Sequence, residues 1–556
     1  MTESAENDTT TAPTEAQTMP PQGDEVDLPR CYPRFRGTPL YKGNKEALGW
    51  ALDGIGRAVQ FIGAGAFLGT ALIRIAKEAA GCPTEPPEGE TVVPECNTKV
   101  YGIKPSSLLT TYTMIVGVAS ACLLPLMGAL IDYTPYRLRV GRIASSVFTV
   151  LILPTIFLNE DNFFSIAIIQ VIVSFAGWAQ TAITYAYLPE LTTDELLLND
   201  YTKSFTMSSF SATVLFLGIV IGVLKIAGFG DNDLLTNQVA MSIAFVVNAI
   251  LLSYSWGTLF GWRDRLHQLP SDKSLWTAGF IQLYNTGRHI AKHYRALKWF
   301  YFSISMSDAA LQALATIAIT YMADQLQFTA QENGIAIGCM LLGSVPGAMI
   351  ANKATKVLDP IKSSIAALLL LIIVTGLFAI FLKGPGQHLE TYILAVIWGA
   401  GTGWKWTCDR LVASCIIPEG QDAELMGFFL FSGQSLSWIP PLVFTAINEA
   451  GVSQRVGVAT LDIFFVLAMI CYLLMGGYAK ARAEVGRDNT IFDRTKRDND
   501  EQEGEACSIE KTVDAPVDED GVEDVGVEMA LRNHAREDDQ SSSLSPQNIS
   551  TPLEPI

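Results

Sequence analysis

The feature that most constrains this chain is a recurring apolar run of about twenty residues, closed each time by charged or turn-forming residues. Such a run crosses the hydrocarbon core of a bilayer as one helix, because about 20 residues at ~1.5 Å each cover ~30 Å. Runs are expected over residues 47–73, 107–131, 143–158, 163–188, 204–227, 238–262, 299–323, 334–351, 361–382, 391–417, 424–447 and 456–478. The third is short and contains Pro154. Backbone polar groups in lipid must be bonded internally, so the expected class is an all-α integral membrane protein of twelve helices in two six-helix halves.

Orientation comes from short basic turns, which stay on the cytoplasmic side. The segment GALIDYTPYRLRVGR at 128–142 crowds Arg137, Arg139 and Arg142 into one turn, and Lys353, Lys356 and Lys362 mark the matching turn of the second half. GALID at 128–132 is echoed by GAMIA at 347–351, with Ala351 where the first copy has Asp132. The arginines read as an orientation signal or, with Asp132 and the acids Glu190, Asp194 and Glu195, as a cytoplasmic latch between moving helices. Both termini are then cytosolic.

Charge sorts the rest of the chain. Of the net −18, residues 1–29 contribute −7 and residues 498–556 contribute −14, which leaves the intervening chain weakly basic at +3. The expected organisation is a disordered acidic arm with a basic juxtamembrane end (1–45), a six-helix bundle (46–262), a cytosolic central loop (263–298), a second six-helix bundle (299–480) and a disordered acidic cytosolic tail (481–556). The acidic ends argue against nucleic acid as a partner. His267, His289 and His293 lack cysteine partners and zinc spacing, so no metal site is expected. The stretch 276–293 is expected as a helix on the membrane surface. Cys82 and Cys96 share the loop expected outside and pair most simply as a disulfide. No Walker loop, HExxH or GxSxG occurs, so neither an enzyme nor a cofactor is expected.

Deep charges fall on few runs. The first carries Asp53 and Arg57, four apart on one helical face; the seventh carries Asp308; the tenth carries Lys405, Asp409 and Arg410. A charge at bilayer depth costs roughly 2.5–3.5 kcal/mol on insertion scales, which makes each a functional candidate. The first pair reads equally as a structural ion pair. Runs one, four, seven and ten lead four groups of three, and equivalent helices of a pseudo-symmetric bundle line one cavity. Run four adds Gln170, Trp178, Gln180, Thr184 and Tyr185. Arg57, Asp308 and Lys405 lie roughly 14–20 Å deep and are expected to meet around a zwitterion or small anion, with Asp53 or Asp308 relaying a proton. A neutral sugar would instead use Gln170, Gln180, Gln312 and the tryptophans, among them Trp404 and Trp438.

GTGWKWTCDRLVASCIIPEGQDAELMGFFLFSGQSLSWIPPLVF at 401–444 resembles the matching stretch of the autophagy-related vacuolar effluxers, a branch of the major facilitator superfamily. Gly403, Arg410, Pro418, Glu424, Gly427, Phe428, Gly433, Trp438 and Pro441 carry the resemblance, with Asp53, Asp308, Gln454 and Arg455. It covers about 49–478. It departs at Gly54, Gly56 and Arg57, where the family has an Asn-containing run, and at Trp406, near a usual Gln. The resemblance implies a twelve-helix facilitator releasing amino acids from a vacuole or lysosome-like compartment; the coupling ion is left open between proton and sodium. DYTPYRLRVGR at 132–142 and LPELTTDE at 188–195 are also similar to cation-coupled sugar symporters, for which the plasma membrane is the alternative location. A non-transporting membrane sensor or scaffold is the third reading, disfavoured by the deep charges.

Overall fold

The computed structural model describes residues 32–485 except 36–37, 84–95, 193–194, 229–231, 264, 266–268, 270–273 and 419–421. Most of the acidic arm, the tail from residue 486 and Asp194 therefore lie outside the described residues, while residues 38–43 of the expected arm form a strand and a turn and residues 481–484 of the expected tail are helical. A two-residue antiparallel hairpin, β1 (Arg34–Phe35) with β2 (Thr38–Pro39), precedes a helical bundle. Its helices are α1 (Lys45–Ala79), α2 (Pro105–Tyr133), α3 (Arg137–Ile156), α4 (Phe163–Tyr187), α5 (Glu195–Ala227) and α6 (Asp233–Leu259). After a central helix α7 (Leu275–His293) come α8 (Arg295–Asp324), α9 (Ala330–Leu358), α10 (Pro360–Phe381), α11 (His388–Ile416), α12 (Asp422–Ser435), α13 (Ile439–Glu449), α14 (Gln454–Leu474) and α15 (Tyr478–Glu484).

Among the described residues ten helices are long and apolar enough to cross a membrane: α1–α6, α8–α10 and α14. α11 has the length but carries Lys405, Asp409 and Arg410. The run expected as one helix over 424–447 is two, α12 and α13, because Pro440 and Pro441 have no N–H to give a preceding turn and fit only where a helix begins. The first run extends past residue 73 to Ala79, since Arg74 and Lys77 find carboxylates at the helix end. The segment 195–203, expected as part of a turn, is the first part of α5.

Burial separates inner from outer helices. The apolar windows of α1, α8 and α4 are 72%, 67% and 56% buried, against 28% for α3 and for α5. A lipid-facing helix keeps its apolar surface exposed; an inner one does not. The closest pairing is α9 with α11, where Gly343, Gly347, Gly399 and Gly403 bring the two backbones together. A Cβ at any of the four would run into a carbonyl oxygen of the facing helix, that of Val396, Ala400, Met340 or Ser344. Small residues four apart permit this approach.

Two π turns interrupt otherwise regular helices. One, Ala64–Leu68, sits midway along α1; the other, Ser255–Leu259, ends α6. A π turn frees backbone carbonyls and re-aims side chains. At the second, Arg142 Nε donates to Trp256 O at 2.8 Å and Ser255 Oγ donates to Gly49 O at 2.7 Å, while the Trp256 indole turns inward.

Candidate functional site

Two buried charge clusters are built on the inner helices. In α1, Asp53 is fully buried and accepts hydrogen bonds from Arg57 Nε at 2.7 Å, from Trp256 Nε1 at 2.7 Å and from Gln180 Nε2. Arg57 spends the rest of its fork on α4, donating to Thr181 Oγ1 and, at 3.2 Å, to Thr184 Oγ1. A charge that cannot reach water is tolerated only when paired and hydrogen-bonded, and every partner here comes from an adjoining inner helix or the π turn. Tyr185 stands beside this cluster, its ring edge-on to Trp50 at 6.3 Å.

The second cluster sits on α11. Lys405 and Asp409, four apart, form a buried ion pair; Lys405 Nζ also donates to Ser307 Oγ of α8 at 3.2 Å. Tyr472 of α14 donates its hydroxyl to Asp409 Oδ1 at 2.6 Å, and its ring lies 5.1 Å from the ammonium. A cation over an aromatic face is attracted by the ring quadrupole.

Next to Ser307, Asp308 differs from both pairs: its Oδ1 is buried without a hydrogen-bond partner among the described residues. It packs on Gly433 of α12, where an added Cβ would stand 2.7 Å from Asp308 Oδ2. Gln312, one turn on, donates to Gly433 O at 2.9 Å. Trp404 Nε1 donates to Ser363 Oγ of α10 at 2.9 Å, and Trp438 Nε1 donates to Ser435 O at 3.2 Å in the break between α12 and α13. Arg410 is exposed. Arg57, Asp308 and Lys405, expected around one site, thus fall into separate bonded sets, with Lys405 and Asp308 near each other through Ser307 and Arg57 held by Asp53.

Arg137, Arg139 and Arg142, expected in a turn, open the helix α3, and the face carrying them holds a second set. Arg137 Nη1 donates to Glu190 Oε1 at 2.8 Å and to Ala186 O at 3.3 Å, with its guanidinium 5.1 Å from the Tyr187 ring. Arg263 pairs with Glu190 at 3.3 Å and with Glu46. Arg139 lies 5.5 Å from the Tyr136 ring, and Arg142 binds Trp256 O. Asp132, at the end of α2, is half-buried. These bonds tie helices of the α1–α6 group to one another.

Bonds between α1–α6 and α8–α14 gather at the opposite face, where Cys82 and Cys96 are bridged with a Cα–Cα distance of 5.7 Å. Lys77 of α1 pairs with Asp324 of α8 at 2.5 Å, and Gln454 donates to the same carboxylate. Asp233 of α6 pairs with Arg74 at 2.7 Å and accepts the first amide of α9, Ala330 N, at 2.7 Å. Asn333 Nδ2 donates to Thr70 Oγ1 at 2.8 Å. Beside them Lys104 donates to Asn448 O and, through its amide, to Glu449, while Lys99 pairs with Glu449 at 2.7 Å. Asn448 Nδ2 reaches Ser106 and Ser107. Apart from the disulfide and Gln454, none of these was singled out from the sequence, where charges at run ends read as topology markers; Trp256, Thr181, Ser307 and Tyr472 were missed because each sits inside or beside an apolar run.

An inner set of charge-bearing helices, surrounded by apolar ones and closed at one face by bonds between two groups of helices, defines a polytopic membrane protein of the transporter type. The fold is similar to that of a mutant of the nucleoside transporter NupG, with a TM-score of 0.53 and 15% identity over 77% of this chain and 100% of that one. It is also similar to the peptide transporter POT in complex with sulfate, with a TM-score of 0.53 and 12% identity over 82% and 98%. Residues 42–485 match the family described as Vacuole effluxer Atg22 like, and the chain belongs to that family. Autophagy-related protein 22 of Pichia angusta is 25% identical over 184 residues, which is 31% of this chain and 31% of that relative.

Proposed function

We propose that the chain is a secondary transporter working by alternating access, which releases amino acids from a vacuole or lysosome-like compartment into the cytosol. In this reading α11 and the broken α12–α13 join the ten apolar helices as spans, giving twelve in two halves of a major facilitator fold. The arginine face and both termini are cytosolic, and the disulfide face is lumenal. The family match and the transporter fold support it.

The observation that carries the site is Asp308. A buried carboxylate oxygen without a partner is costly and invites one from outside the protein. A cargo ammonium or a coupling proton supplies it, beside Gln312 and Trp438. The cargo carboxylate is received by exchange, drawing Lys405 from Asp409 or Arg57 from Asp53, since both bases are already paired. Arg410, Gln180 and Tyr185 flank the path. Arg137, Arg139, Arg142, Glu190 and Asp132 brace the cytosolic end of the first half as it moves.

Flux in reconstituted vesicles, across a panel of amino acids and sugars with and without a pH gradient, tests the reading. Amino-acid flux that falls at least tenfold in Asp308→Asn is expected. The full pairing of Arg57 favours one second reading, sugar symport with the charges left to couple a cation. Sugar flux with no amino-acid flux would establish that alternative instead.

A further inference from the structure

α7 presents three faces that do different work. Ala278, Gly279, Thr286 and Ile290 are buried. Gly279 lies so close to α2 that a Cβ there would strike Pro125 O, with Ala129 beside it, and Tyr133 OH donates to Gln282 at 3.4 Å. Further along, Gly287 faces Phe428 of α12. α7 is thus strapped along the arginine-face end of α2 and across to α12. The opposite side carries Trp276, Phe280 and Tyr284 in one i, i+4 row, 73%, 43% and 66% exposed. The same row continues as Arg288 and Lys292, both exposed. A helix that leaves three consecutive aromatic positions uncovered has a partner for them.

Depth identifies the partner. Pro125 stands eight residues before the end of α2 at Tyr133, so Gly279 touches α2 roughly 12 Å inside its end. α2 is among the apolar candidate spans, and its whole length exceeds the ~30 Å hydrocarbon core. The aromatic row therefore lies level with the boundary of the bilayer, not out in solvent. Past His293, after the single residue Tyr294, α8 enters with Arg295, Lys298 and Trp299, the Lys298 ammonium resting 5.1 Å from the Trp299 ring. Aromatic rings and bases at one level mark a headgroup layer.

The geometry points to α7 as an interfacial lipid-binding helix: Trp276, Phe280 and Tyr284 seat in the headgroup layer, and Arg288 and Lys292, with Arg295 and Lys298, hold anionic phospholipid against α2 and α12. Positive side chains near an anionic surface each add about fivefold to binding. The recognised chemistry is a lipid phosphate at the end of an acyl chain; the rings require the chain as well as the charge.

The full-length protein in vesicles of phosphatidylcholine brominated near the headgroup end of its chains supplies the first test. The emission lost on Trp276→Phe reports that one indole, and it is expected to be quenched by the bromolipid and protected from aqueous iodide. Iodide quenching without bromolipid quenching overturns the proposal and leaves the row facing water or a soluble partner. The second test reads lipid retained by protein purified from vesicles of phosphatidylcholine with 30% (about one in three) phosphatidylserine, a probe fraction set by the surface-charge requirement. The parent retains phosphatidylserine in excess over its share, Arg288→Gln with Lys292→Gln lowers that excess roughly 25-fold, and Lys292→Arg keeps it. Equal retention by parent and double variant overturns the anionic preference. All three variants alter exposed side chains, and an unchanged melting temperature confirms that each is folded.

Discussion

Asp53–Arg57 in α1 and Lys405–Asp409 in α11 are the same device built in opposite order, acid before base in one and base before acid in the other. Each is an i, i+4 pair, buried and completed by an aromatic donor from the last long helix of its group, Trp256 for Asp53 and Tyr472 for Asp409. They differ in how much hydrogen bonding is left over. Arg57 reaches two threonines of α4 beyond its acid, so both charges of the first cluster are bonded on every side, and among the described residues only the neutral Gln180 Oε1 is left over. Lys405 has one hydroxyl beyond its acid, and one residue from that hydroxyl stands Asp308 with an unpartnered oxygen. The lesson is that the same pair can be set in more or in fewer surrounding bonds, and the one with fewer lies beside Asp308.

The largest effect that separates the two is on stability. Asp53→Ala strands Arg57 in the interior and is expected to cost about 3–5 kcal/mol, read as a lowered melting temperature and poor recovery of monodisperse protein. Asp308→Ala removes a carboxylate with one oxygen lacking a hydrogen-bond partner and is expected to cost much less than Asp53→Ala. Equal losses in the two variants would erase the distinction. Next, Trp256→Phe and Tyr472→Phe each take one hydrogen bond from a buried carboxylate, at about 1.5–3 kcal/mol. The tryptophan variant should sit at the upper end, because Gly141 packs directly on its ring and a smaller ring leaves space there.

Flux sharpens the comparison further. Lys405→Gln is expected to lower amino-acid transport about tenfold and, because it leaves Asp409 buried without its base, to lower melting as Arg57→Gln does. A variant at position 405 that transports at the parental rate removes the exchangeable role from α11. The smallest effect concerns the disulfide face. Lys77→Gln deletes one of the bonds that join α1 to α8 at that face, and, on the reading of alternating access, a bond made in one state shifts the population by its own worth. Labelling of a cysteine placed at Gln327 from the disulfide face is expected to rise about fivefold, equivalent to ~1 kcal/mol.

The helices were legible because a twenty-residue apolar run has few other solutions in a bilayer. Their ends were less so. Arg74 and Lys77 break the apolar pattern at residue 73, yet the helix continues to Ala79 because Asp233 and Asp324 meet those bases from other helices, a fact with no trace in local sequence. Position four after Asp53 announced Arg57 as its partner; nothing announced Trp256, two hundred residues on, whose indole is aimed by a π turn. The grouping of Arg57, Asp308 and Lys405 by depth was sound arithmetic along each helix and said nothing of lateral distance. Pro440 and Pro441 held the signal for the break at Trp438, since adjacent prolines inside a span have only the first turn of a helix to occupy.

The glycine seam between α9 and α11 has a mechanical consequence. With backbones in direct contact at four glycines, no side chain is left between them to slide or change rotamer, so the two helices form one stiff beam. At one end of that beam, Ala330 and Asn333 are bonded to α6 and α1 at the disulfide face; along its other member sit Lys405 and Asp409. A stiff beam carries any displacement of its first end to the charge pair, as a crank carries its pin, without a relay of side chains through the space between.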